Sequence, residues 1–281
     1  MAVGDLQMKQ RSRRVRMVVA VLLTIQIAVT ACGSPVEDSS IQQTSSTSHS
    51  SGSDVYEVPD QLGDATMVWS AEPEVDLFSA EGTLIRAAQE SIAIGATVGL
   101  DYTYRGFAAS GNYKGGDSIY SIFQSATGDG PFAGTIHSRI QKVNPSDNGF
   151  EALTCVLSIG LDVLENGKYS PSLLTNIAGE ELRIRFIRTG DKTTTARESM
   201  PSSIQESENL HWQAPTDNRF AGWEIDGFAD VEPGTAESGR CVPWARSLYP
   251  DVEPIVSREA YARDNPPPVQ PAYPGWPDSA S

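Results

Sequence analysis

The stretch Phe150-Glu-Ala-Leu-Thr-Cys-Val-Leu-Ser-Ile-Gly-Leu-Asp-Val163 sets the fold class. Its odd positions Leu153, Cys155, Leu157, Ile159, Leu161 and Val163 form an unbroken apolar row at period two. Thr154, Ser158 and Asp162 alternate with them and are interrupted by Val156. That pattern predicts a strand over 150–165, one face in a core and the other covered or wet.

Moving outward, Glu165-Asn-Gly-Lys168 carries Asn166-Gly167, a strong hairpin signal, so Lys168 to Pro171 begins a short partner. Ala133 to Val143 alternates weakly through Ile136 and Ile140. Leu182, Ile184 and Phe186 point one way while Arg183 and Arg185 point the other. Over Arg219 to Ala229, Trp223 and Ile225 oppose Glu224 and Asp226, so the two arginines are expected to pair with these acids across a ladder.

Before the strands, Ser79 is a plausible N-cap for a helix with Leu84, Ile85, Ala88 and Ile92 on one face. Arg86, Gln89 and Glu90 are expected to face away, and Gly95 and Gly99 to mark the helix end. A second, short helix is expected over 117–126. The fold class is therefore α+β: an N-terminal helix packed on a curved antiparallel sheet of about four strands.

The first residues address the chain. Lys9, Arg11, Arg13, Arg14 and Arg16 precede a short apolar run from Met17 to Val29, then Val29-Thr-Ala-Cys32. A basic start, a brief apolar segment and small residues describe a signal peptide over 1–31. Val-Thr-Ala-Cys looks like a bacterial lipobox, which implies diacylglyceryl transfer to Cys32 and cleavage before it. Residues 32–58 are rich in Ser, Thr and Gly and read as a tether reaching about 25–30 Å.

The chain is acidic, net −15, and −19 without residues 1–31. Nucleic acid and anionic headgroups would repel it, so its expected route to a membrane is the lipid on Cys32. Cys155 and Cys241 remain. Outside the cytoplasm they are expected to pair, a bridge of about 4 kcal/mol; the alternative is a buried free Cys155 with an exposed Cys241.

A single domain is expected over 59–262, with a long Thr/Ser/acid-rich loop at 189–218 and an arm from 230 pinned to the sheet by Cys241. Residues 263–281 are proline-rich and expected to form an extended tail.

Chemistry is sparse. There is no nucleophile elbow, Walker loop, dinucleotide fingerprint or metal-ligand spacing, so neither cofactor nor metal is expected. His137, with Tyr102, Tyr104 and Tyr113, is the candidate lining of a cavity between helix and sheet. The bland alternative for each is a strand or joint filler. His211 beside Trp212 reads as loop decoration.

The order of helices and then strands resembles the cone-shaped NTF2-like (cystatin-like α+β) architecture. Glu81-Gly-Thr-Leu-Ile-Arg-Ala87, Tyr104-Arg-Gly-Phe107, Phe220-Ala-Gly-Trp223 and Arg240-Cys-Val-Pro-Trp244 are similar to stretches of exported actinobacterial lipoproteins of unknown function. The resemblance implies no catalytic residue. The expected function is a lipid-anchored, non-enzymatic binding or assembly module, its partner an envelope protein. The alternative is a pocket protein carrying a small apolar ligand or acting as an enzyme.

Overall fold

The computed structural model describes residues 56–111, 123, 124, 126, 128, 130–171, 180–190, 210–230, 239–251 and 260–276. Cys32 and the tether up to residue 55, Tyr113, most of the helix expected over 117–126 and most of the 189–218 loop lie outside them, while Tyr56 and Val58, assigned to the tether, pack against the core.

The elements run β1 (Asp64–Ala71), α1 (Ala80–Thr97), α2 (Phe107–Ser110), β2 (Phe132–Ser146), β3 (Gly149–Glu165), β4 (Lys168–Pro171), β5 (Glu180–Arg188), β6 (Trp223–Asp230) and α3 (Val242–Leu248). The fold is α+β, as expected, but the sheet has six strands in the order β1-β2-β3-β5-β6, with β4 on β3. The added strand is β1, which pairs parallel to β2, with α1 in the crossover. All other pairings are antiparallel. Its signal is Ala65, Met67 and Trp69 at period two, each buried.

Helix α1 begins where Ser79 Oγ accepts from Gly82 N at 2.9 Å. Gly82 is required there, since a Cβ would lie 2.2 Å from the Asp76 carbonyl oxygen. The apolar face forms as expected, but Arg86, Gln89 and Glu90 are also buried, against the expectation that they face solvent. The helix is covered on more than one side, and the additional cover comes from β1 and the segment 260–276.

That segment includes most of the proline-rich tail expected over 263–281. It is extended, but it is built into the molecule: Trp69 N donates to Tyr273 O and Tyr273 N donates to Met67 O, a parallel bridge on the β1 edge. Trp276 is buried. The free edge of β1 is thereby covered, a standard protection of a sheet against edge pairing.

Strand β3 is shared between two cores. Phe150, Ala152, Leu161 and Val163 join the main core under α1. Leu157 and Ile159 instead pack with Ala245, Trp244 and Tyr249 on the opposite face. The odd-numbered row is therefore split. The cause is a bulge: Thr135 faces Gly160 but His137 faces Leu157, so β3 carries one extra residue and its period-two phase flips. At the hairpin, Asn166 and Gly167 both take positive φ (52° and 77°), as a two-residue primed turn demands.

The Cys155–Cys241 bridge is formed, Cα to Cα 5.6 Å, and holds α3 on the outer face of β3. Arg185 pairs with Asp226 at 2.8 Å as expected, whereas Arg183 turns to Glu151 instead.

Candidate functional site

The residues expected to line one cavity are dispersed. His137 lies on the outer face of the sheet, its ring 5.9 Å from Tyr249 in an edge contact. Alternation along β2 places it there, since Ile136 and Ile140 take the core face. Burial lowers its pKa and favours the neutral imidazole. Tyr102 is 51 % exposed, and its carbonyl accepts from Tyr56 Oη at 2.6 Å. Tyr104 is buried inside the protein. His211 is exposed at the surface, its Nδ1 2.9 Å from the Gly63 carbonyl oxygen. Among the described residues no three His, Cys, Asp or Glu side chains gather as metal ligands.

Tyr104 belongs instead to a buried polar network that the sequence pattern does not show. Glu90 accepts from Trp69 Nε1 at 2.9 Å, Tyr104 Oη at 2.7 Å and Trp276 Nε1 at 2.7 Å. Trp212 Nε1 donates to Tyr104 Oη, whose single O–H is shared between Glu90 and the Gln213 carbonyl oxygen 2.9 Å away. One helical turn before Glu90, Arg86 donates to the Pro274 carbonyl at 2.6 Å and lies 4.3 Å from the Trp276 ring centroid. Three of the chain's five tryptophans thus converge on one carboxylate and one phenol.

Burial raises the Glu90 pKa, opposed by Arg86 and by the three donors. The same burial lowers Arg86 to about 10, partly offset by Glu90. The three donors all favour the ionised carboxylate. A buried acid and base on successive turns, with both carboxylate oxygens engaged, form a self-contained clamp between α1, β1 and the C-terminal segment. Both carboxylate oxygens and one guanidinium nitrogen are bonded to groups of the protein itself, which suits tertiary locking. Its sequence signal is Arg86 and Glu90 at i, i+4 on α1.

The open concavity lies elsewhere. A groove of about 540 Å³ forms where the β1–α1 connection, the start of α1, the β2–β3 hairpin and the ends of β5 and β6 meet. Phe150, Val143, Val75 and the half-buried Trp223 supply its apolar lining. Phe150 packs edge-on to Trp223 (5.4 Å between centroids) and stacks on Phe186 (4.7 Å). Arg188 lies 4.4 Å from the Trp223 centroid, so an aromatic face holds its guanidinium in place.

The charges are sorted by element. Glu74, Asp76 and Glu81 come from the connection and α1, while Lys142 and Arg188 come from the sheet. Asp76 Oδ1 is used locally, accepting from Phe78 N at 2.8 Å. No ion pair joins the two sets among the described residues.

The groove was hidden from pattern reading because its members lie more than a hundred residues apart and each reads as ordinary surface. Lys142, Val143, Phe150, Arg188 and Trp223 were placed on strands by alternation, but nothing in the pattern brought those strand ends together. In comparisons with known proteins, no family model, no curated protein and no solved structure matches this chain.

Proposed function

We propose that this chain is an exported protein, anchored by lipid on Cys32 outside the membrane, and that it acts as a non-enzymatic binding module. The observation that carries the reading is the groove at Trp223 and Arg188: a preformed, amphipathic concavity whose charged residues are not closed on one another. Its size suits a ligand of small-molecule scale. The buried acid and base near it in sequence, Arg86 and Glu90, are already committed to the fold.

The lipobox, the Ser/Thr-rich tether and the disulfide together support the localisation, since structural disulfides belong to oxidising compartments. On fold, the NTF2-like cone remains our finer reading. A long helix against an antiparallel run of strands supports it, and β1 is an addition to that plan.

Native mass spectrometry of protein extracted from membranes in mild detergent tests the function. A diacylglyceryl-modified mature chain should carry a bound species that is absent from Arg188→Gln. Identical spectra for the two proteins would reject the groove as the place of binding.

A further inference from the structure

Resting on the reading of the groove as a binding place, we infer that its ligand is a short dipolar peptide: a free ammonium at one end, a free carboxylate at the other, and apolar side chains between. The argument is one of charge complementarity across a single concavity. A wholly anionic ligand would face Glu74 and Glu81, whose carboxylates have no described partner. A wholly cationic one would face Lys142 and Arg188. A neutral lipid chain would have to strip water from both sets, which costs free energy for every charge left unpaired.

A ligand with opposite charges at its two ends meets each set with its complement. Its apolar middle then covers Phe150, Val143 and the exposed part of Trp223. Two local features fit this polarity. Glu81 sits in the first turn of α1, at the edge of the concavity where the ligand's ammonium end would lie. Arg188 is held by the Trp223 ring rather than by a carboxylate, which leaves its planar N–H edge to grip a peptide carboxylate.

The test is calorimetric titration of the full mature chain in detergent, at low ionic strength, with four forms of one dipeptide. The probes are zwitterionic Leu-Leu, N-acetyl-Leu-Leu, Leu-Leu-amide, and the doubly blocked N-acetyl-Leu-Leu-amide. The zwitterion should bind tightest, with each blocked end weakening it by about threefold, the worth of a partly exposed charge pair. Arg188→Gln should lose the preference for a free carboxylate but keep that for a free amine, and Glu81→Gln the converse. Both side chains lie at the surface, so these variants retain the fold. Equal binding of all four forms would overturn the dipolar ligand while leaving the groove as a binding place. No heat from any form up to millimolar concentration would also overturn it, and the native mass spectra then decide separately whether the groove binds something else.

Discussion

Replacing Glu90 by alanine would strand two indole N–H groups inside the protein, remove one acceptor from the Tyr104 phenol, and leave Arg86 buried without the opposite charge of Glu90. Breaking a buried, hydrogen-bonded charge in this way costs about 3–5 kcal/mol. Chemical denaturation of E90A should show a loss of that size; a change below about 1 kcal/mol, the net worth of an ordinary hydrogen bond, would mean the clamp contributes little. His137 provides a pH test. Its folded pKa lies below the ordinary value near 6.5, so the folded protein binds its proton less readily than the unfolded chain does. That stability is present above the unfolded pKa and is lost as pH falls through it toward the folded value. Denaturation midpoints taken at pH 7.5 and 5 should therefore fall less for His137→Leu than for the parent. Equal falls would place the pH dependence on other groups. At this scale the sequence was least legible. Glu90 on a helix reads as a solvated carboxylate, and only partners at positions 69, 104 and 276 reverse that reading.

Among the elements, the strands declared themselves and the coverings did not. Period-two alternation located β2, β3, β5 and β6, and Asn166-Gly167 located the hairpin to β4, because each signal is local. The row through β3 was read as one face because a bulge leaves no trace in the alternation itself; Leu157 and Ile159 are as apolar as Leu161. β1 was missed although Ala65, Met67 and Trp69 alternate, since Val68 falls between them. What the 260–276 segment lies against was not legible, because proline announces an extended backbone without saying where it packs. The disulfide was legible by cysteine arithmetic and is the element-scale handle. The double variant Cys155→Ala, Cys241→Ala should lose about 4 kcal/mol, through freedom restored to the unfolded chain over the 86 residues between them. An unchanged thermal midpoint would show that α3 is held by Leu157, Ile159 and Ala245 alone.

For the whole molecule, charge and address dominate. At net −15 the chain is expected to remain soluble without the proposed lipid on Cys32. Cys32→Ala should accordingly shift it from the membrane fraction to the soluble fraction. Retention in the membrane pellet would reject acylation at that thiol.

The strap along β1 carries one more implication, for biogenesis. Glu90 and Trp276 are 186 residues apart, so the carboxylate on α1 acquires its last donor only long after its own helix has been synthesised. Until then the β1 backbone lacks its neighbour at Tyr273 and the indole slot stands open. On the proposed export route, a chain made from amino to carboxyl end would thus reach a translocation channel with its tertiary lock unset, in the pliable form that threading through a narrow pore requires.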